Sequence, residues 1–361
     1  MSASVEFLEP VSGLPWTVIR GAREPVFRAL GELHAEQIAG IRARAGQQWS
    51  ELMTRVQHPL WADRLSRVIE RTTHQLPIEA QELSWMAVGA GLPELDLWVY
   101  NLRGDLGRDG IGCSDVCLAT PHRLLMGHNE DGDAALAGDI RLITLDIDGD
   151  PSCTVIWYPG MLPANSFVAT SAGLAFGLDH VPVVTPDLDG CGRHFVARHA
   201  QRQPDGEAAR AAVAGFSCAG GFSFDIADGP GRRADIVENA AGRVRGVCAP
   251  PDEVLCHTNH LRLVDGTEPG LRVADDDEWM LESRARRLAL TAAVGEVGAD
   301  DAASVRAALR APGVLNRRED LWTLATAVVD LLADTITVQA RGDAWTGSFA
   351  AFARGERAQT E

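Results

Sequence analysis

Residues 110–133 read GIGCSDVCLATPHRLLMGHNEDGD. A glycine-containing loop feeds directly into a strand whose first residue is Cys113. CSDVCLA and HRLLMGHN have the composition of short strands, and Thr120-Pro121 between them has that of a turn, so the stretch predicts a β-hairpin. A thiol at the head of an edge strand, preceded by Gly112, can attack the Gly112 carbonyl, because glycine tolerates the strained backbone that such an alignment demands. Passage to the thioester, followed by its hydrolysis, would leave Cys113 with a free α-amine. That amine, with an ordinary pKa near ~7.7–8.0, can serve as base for its own thiol without a histidine. Two plainer readings stand beside this one. Cys is among the most buried residue types, so Cys113 could be a core thiol. Asn129-Glu130-Asp131-Gly132 equally suits a turn.

Working outward, IRLITLDID, SCTVIWY, SFVAT and GLAFGLDH read as further short strands, with turn residues such as Asp148-Gly149-Asp150-Pro151 between them. These predict hairpins and an antiparallel sheet. Upstream, Val26, Leu30, Leu33, Ile38 and Ile41, then Leu65, Val68 and Ile69, recur at helical spacing, so the first third is predicted mainly helical. LWVYNLRGDLGRDGIG (97–112) passes from an apolar run into a Gly/Asp-rich loop of the exposed, cuttable kind. Helical stretches are predicted at 192–214 and 277–309, and a closing strand pair at LWTLATAVVDL and ADTITVQA. Strand runs with segregated helices indicate an α+β fold, not a βαβ pattern.

The composition excludes several functions. The 361 residues carry a net charge of −17, and all 33 basic residues are Arg. Without Lys there is no pyridoxal or aldolase Schiff base and no P-loop lysine. An acidic chain without clustered cations is not a nucleic-acid binder. No apolar run approaches membrane-spanning length and no secretory signal pattern opens the chain, so a cytoplasmic location is expected. Seven cysteines, odd in number and scattered, are not a disulfide framework. Cys113 and Cys117 lack a second pair at zinc-ligand spacing, so no metal is expected. No cofactor is expected either, since no phosphate-cradling Gly-rich loop marks a CoA site. His257 and His260 in HTNH could form a Cys–His dyad or a zinc site, although such a pair is usually structural. Arg198, Arg284 and Arg286 could bind an anion, although arginines on a helix usually form a solvated face. Three alternatives therefore stay open: an intact papain-type hydrolase using Cys113 or Cys256, a zinc hydrolase, and a non-catalytic binding protein.

Several blocks, in order, resemble the autoproteolytic cysteine acyltransferases and hydrolases related to acyl-CoA:6-aminopenicillanate acyltransferase, within the N-terminal-nucleophile hydrolase superfamily. They are LGELHAEQI, ELSWMAVGAGLPELDLWVYNLRGDL, Gly112-Cys113 with Asn129-Glu130-Asp131, SAGLAFGLDHVP, HTNHL and TLATAVVDLLADTITVQARGDAW. The resemblance implies one four-layer αββα domain of two antiparallel sheets, cut into an α-chain (1–112) and a β-chain (113–361) that stay together as a heterodimer. It implies that Cys113 is the nucleophile both for cleavage and for catalysis. Asp131 would hold the new α-amine, with Asn129 completing a polar floor, and Asn259 would donate to the oxyanion. Asp179 falls where relatives usually carry Asn. Asp115, Asp179 and His260 are expected beside the substrate, the acids drawing a cationic amine. The donor would be a small amide or a CoA thioester, and the acceptor water or an amine.

Overall fold

In the computed structural model, which describes residues 2–44, 46–108 and 112–358, the chain opens with a hairpin that the helical reading of the first third omits. β1 (Ser4–Val11) and β2 (Leu14–Gly21) are joined by Ser12 and Gly13 at φ 48° and 78°, the paired left-handed residues that a two-residue hairpin turn requires. β1 is exposed along most of its length, so no buried-face alternation marks it in the sequence. Helices then follow as predicted: α1 (Arg23–Leu33), α2 (Ala35–Arg44), α3 (Gly46–Gln57), α4 (Pro59–Gln75), α5 (Pro77–Ala90) and α6 (Glu94–Leu102). Pro59 and Pro77 open α4 and α5 at the position where a missing N–H is harmless.

Up to Gly107 the stretch that begins at Leu97 is mostly buried, not an exposed loop. Leu102, Asp105 and Leu106 are fully buried, and the Asp105 carboxylate accepts the Arg193 and Gly220 backbone N–H groups at 3.0 and 2.9 Å. Residues 109–111 lie outside the described residues.

From Cys113 the predicted strands appear: β3 (Cys113–Ala119), β4 (Leu124–Asp133), β5 (Arg141–Ile147), β6 (Cys153–Trp157), β7 (Val168–Thr170) and β8 (Leu174–His180). After α7 (Arg193–Gln201) and α8 (Gly206–Gly215) come β9 (Gly221–Asp228), β10 (Arg233–Ala240), β11 (Arg243–Cys248) and β12 (Leu255–His257). The chain closes through α9 (Glu278–Val297), α10 (Ala302–Leu309), β13 (Leu321–Asp330), β14 (Thr335–Gln339), β15 (Trp345–Ser348) and α11 (Phe349–Ala353). The strands form a nine-stranded sheet, β1-β2-β5-β6-β7-β8-β9-β10-β11, and a six-stranded sheet, β12-β3-β4-β13-β14-β15. All neighbours are antiparallel except β2 and β5, which run parallel. That exception arises because six helices separate β2 from the strands after Cys113, and a hairpin cannot bridge them.

Three apolar layers order the whole as the αββα sandwich. Trp16, Leu142 and Ile156 of one sheet meet Met126, Ala327 and Val329 of the other. The outer face of the larger sheet packs Ile143, Trp157 and Phe224 against α1 and α4 to α8 through residues such as Phe27, Leu83 and Phe195. Val116, Leu125 and Val328 of the smaller sheet lie under α9 and α10. No helix of the described residues is long and apolar enough to cross a membrane.

α1 and α5 cross at two glycines, one from each of the first two blocks quoted above. A Cβ on Gly31 would strike the Met86 carbonyl, and one on Gly89 would strike Arg28 O and lie 2.9 Å from its carbonyl carbon. Backbone cannot swing aside as a side-chain tip can. Helix propensity alone makes Gly→Ala stabilising by about 1 kcal/mol, but overpacking here should reverse the sign. Gly89→Ala is expected to lower stability by about 1–3 kcal/mol, read as a fall in thermal midpoint. A rise would show that the helices do not cross this closely.

Candidate active site

Three elements meet at the head of β3. β12 pairs with β3 so that His257 lies opposite Asp115, and the chain leaving β12 carries Asn259 alongside Cys113. Asn259 Oδ1 accepts the Cys113 backbone N–H at 2.8 Å and an Arg286 Nη2 proton at 2.7 Å, while its Nδ2 donates to the His180 carbonyl at 3.0 Å. Arg286 reaches in from α9. Its Nη1 donates to the Cys113 carbonyl and, at 3.0 Å, to Ser114 Oγ, and Glu282 one helical turn away holds the guanidinium at 2.9 Å. A Cβ on Gly112 would lie 2.8 Å from Arg286 Nη2 and 3.2 Å from Asp131 Oδ2, so the junction accepts glycine and little else.

The pleat of the hairpin divides its side chains. Cys113, Asp115 and Cys117, with Met126, His128 and Glu130, face the larger sheet. Ser114, Val116, Asn129 and Asp131 face α9 and α10. Cys113 is cross-strand partner to Glu130, and Sγ lies 3.9 Å from Glu130 Oε2. Tyr158 donates its hydroxyl to Glu130 Oε1 at 2.7 Å. His128 bridges inward, with Nε2 3.2 Å from Glu130 Oε2 and Nδ1 2.9 Å from Asp115 Oδ1. Only glycine fits opposite, because a Cβ on Gly177 would strike the Asp115 carboxylate. Farther in, His257 lies between Asp179 (2.8 Å) and Glu238 (2.9 Å). Glu238 accepts the N–H groups of Arg262, Leu263 and Val264 at 2.6, 2.9 and 2.8 Å. A cavity of about 50 Å³ ends on Cys113 between Tyr158, Met161, Leu178 and Phe222, and a cleft of about 810 Å³ begins at Gly112, with Trp49, Tyr100 and Trp279 in its wall.

The structure brings Gly112, Cys113, Asp131 and Asn259 together. Asp131 accepts from Asn316 Nδ2 at 2.6 Å and lies 3.9 Å from Arg286. Asn129 faces away from the thiol, its amide spent on the Leu309 carbonyl and Thr326 Oγ1, both at 2.7 Å. Asp115 and Asp179 are fully buried behind Cys113 and line neither cavity, because each is drawn to a histidine; they form no acidic rim. His260 is turned toward α9, with Nδ1 2.8 Å from Ser283 Oγ. Cys256 packs under α9. Arg284 pairs with Asp275 at the surface, but Arg198 and Arg286 are buried, Arg198 against Glu82 at 2.8 Å. A signal for Arg286 was present. The buried positions of α9 are Met280, Ser283, Arg286, Leu290, Ala293 and Val294, so the arginine occupies the apolar stripe. Two groups, Cys113–His128–Glu130 and Asp115–His128–Asp179, have ligand atoms close enough to share a cation, although both His128 nitrogens already face carboxyl groups.

The model of the acyl-coenzyme A:6-aminopenicillanic acid acyl-transferase family matches residues 118–292, a stretch that contains Asp131, Asn259 and Arg286. Over that stretch the chain is similar to the family. Among solved structures, a mutant conjugated bile acid hydrolase from Clostridium perfringens is similar at 12% identity, covering 69% of this chain and 96% of that one, with a TM-score of 0.46. Penicillin V acylase from Agrobacterium tumefaciens is similar at 11% identity, covering 68% and 88%, with a TM-score of 0.42. No curated protein matches the chain.

In this chain the nucleophile candidate is held neutral. Burial, then the charges of Glu130, Asp179 and Asp131, push the Cys113 thiol well above its ordinary pKa. Burial lifts Asp131 to about 6, with Arg286, Thr323 and Asn316 pulling against it. Burial opposes charge on both inner histidines, but their carboxyl partners outweigh it. His128 is raised well above its ordinary value by Asp115 and Glu130, and His257 is raised to about 10 by Asp179 and Glu238. Asp115 is pushed well up by burial and by the Asp179 charge, with His128 pulling against them. Burial depresses His260 to about 4.

An unfolded chain releases the His257 proton near ~6.5, whereas the fold holds it to about 10. The stabilisation is therefore complete below the unfolded value and lost as pH rises through the folded one. The stability difference between wild type and His257→Gln should narrow across that window by up to about 1.4 kcal/mol per pH unit. Urea titrations near pH ~6.5, ~8 and ~9.5 would measure it. A constant difference would mean that His257 is neutral in the fold.

Proposed function

We propose that the chain is a self-cleaving cysteine acyltransferase or amidohydrolase of the N-terminal-nucleophile kind, with Cys113 as nucleophile. One observation carries the reading: at the Gly112–Cys113 junction, the N–H that cleavage would release as an amine is already bonded to Asn259 Oδ1 at 2.8 Å. Around it, Arg286 grips the Cys113 carbonyl and Asn259 together, fixing the backbone on the far side of the scissile bond.

Thiol attack on the Gly112 carbonyl would exchange the amide for a thioester, and water would then release Gly112 as a carboxylate. The freed α-amine stays on Asn259 Oδ1 and becomes the base for Sγ. An acyl donor then forms an acyl-enzyme on Cys113, resolved by water or by an amine. Asn259 Nδ2 serves the oxyanion only by giving up the His180 carbonyl, and Asp131, beside Gly112, balances Arg286. Before cutting, the chain is a zymogen, because Gly112 stands between the small cavity at Cys113 and the wide cleft. Departure of the Gly112 end would join them into a site for a small amide or a CoA thioester. The two pieces remain a heterodimer, since β2 is bonded to β5 across the cut and α1 and α4 to α6 bury the larger sheet. A reducing, cytoplasmic setting would keep the thiol free.

Denaturing electrophoresis should show pieces of about 12 and 27 kDa, dividing 38.7 kDa in proportion to 112 and 249 residues, while Cys113→Ala stays whole. Intact mass after exposure to a donor should show one acyl group on the larger piece. A folded wild-type chain that never cuts would falsify this reading. Two donors sharing an acyl group should also give the same acid-to-amide ratio at a fixed amine concentration, because both pass through one acyl-enzyme; unequal ratios would exclude that intermediate.

A further inference from the structure

The mature enzyme has a base that the precursor lacks. Until the Gly112–Cys113 bond breaks, the nitrogen of Cys113 is an amide donating to Asn259 Oδ1 at 2.8 Å, and its lone pair is delocalised into the carbonyl. It cannot take a proton. Yet the thiol is buried among acids and held neutral, so its proton has to leave as sulfur attacks. Asn259 and Arg286 are not bases, and Asp131 sits on the opposite face of the hairpin, bonded to Asn316 at 2.6 Å. Among the described residues, the acceptor bonded to Sγ is Glu130 Oε2, at 3.9 Å. Its carboxyl is aimed from two sides, by Tyr158 on Oε1 at 2.7 Å and by His128 near Oε2 at 3.2 Å. Asp115 fixes the His128 ring at 2.9 Å, in space that Gly177 leaves open.

We propose that Glu130 is the general base of self-cleavage, receiving the Cys113 thiol proton before the α-amine exists, with His128 and Asp115 as positioning residues. The inference rests on the self-cleaving reading above. The proton moves from Sγ to Oε2 as sulfur bonds to the Gly112 carbonyl carbon. As the tetrahedral centre collapses, the carbon–nitrogen bond breaks and Glu130 returns the proton to the departing nitrogen, leaving a thioester and a free amine. Water then adds to the thioester carbon, yielding the Gly112 carboxylic acid and restoring the thiol. Nothing is oxidised or reduced, and one water is consumed.

The test is the cleavage rate of freshly translated full-length chain, followed on denaturing gels, for wild type, Glu130→Gln, Glu130→Asp and Cys113→Ala. General-base loss predicts that Glu130→Gln cuts at least about 10²-fold more slowly than wild type, with Glu130→Asp in between. Hydroxylamine, which cleaves thioesters, should hasten wild-type cleavage and leave Glu130→Gln unmoved, a distinction that a merely structural role would not produce. Thermal melting of the uncut variants against Cys113→Ala establishes folding. If Gln prevents folding, Glu130→Asp decides, since a carboxylate drawn back by one methylene must slow cleavage at least about tenfold and an unchanged rate overturns the role. Wild type that cuts while folded Glu130→Gln cuts equally fast sinks the role of Glu130 and leaves self-cleavage standing. Wild type that never cuts sinks the self-cleaving reading itself.

Discussion

The first rung of the β3–β4 ladder, Cys113 opposite Glu130, is the constraint from which the site follows. Side chains alternate across a pleat, so this one pairing sends Cys113, Asp115, His128 and Glu130 between the sheets and sends Ser114, Asn129 and Asp131 toward α9. A one-residue slip would exchange the two sets, pointing the thiol at α9 and burying Asp131 among the acids of the larger sheet. The hairpin register therefore decides which face holds the sulfur and which holds the backbone that sulfur would attack.

Everything ionisable on the inner face must then be paired, since an uncompensated charge between two sheets costs several kcal/mol. The structure meets that demand by alternation. Glu130, His128 and Asp115 continue into Asp179, His257 and Glu238, with each imidazole between two carboxyl groups. Stability alone does not explain such a chain, because well-packed apolar residues in its place are often as stabilising or more so. The neighbouring region of the same interface, from Trp16 to Val329, is apolar in just that way. The polar end coincides with Cys113.

The outer face does different work. Arg286 from α9 and Asn259 beyond β12 fix the amide and carbonyl of Cys113, and Asp131 offsets the guanidinium at 3.9 Å. The thiol and the backbone of Cys113 are thus held by different layers of the sandwich, the thiol by sheet-to-sheet packing and the backbone by sheet-to-helix packing. The nine-stranded sheet draws its first two strands from the segment before Cys113, which is why a cut at that point would leave the layers in place.

The sequence by itself determined the hairpin at Cys113, most of the later strands, the paired helices at 192–214 and 277–309, the α+β class and the resemblance to the acyltransferase family, because local periodicity, turn residues and short motifs carry that information. It also brought Gly112, Cys113, Asp131 and Asn259 into one candidate site. It did not reveal β1, whose exposed face has no alternation, or the parallel β2–β5 pair, whose partners, such as Trp16 and Leu142, are 126 residues apart in the chain and share no turn. Only the tertiary structure decided that Arg286 is buried against Cys113 and not solvated, that Asn129 faces α10, and that Asp115 and Asp179 lie behind Cys113. The physical reason is the same in each case. A buried charge is defined by its partner, and the partners of these residues come from other strands, other sheets and helices far along the chain.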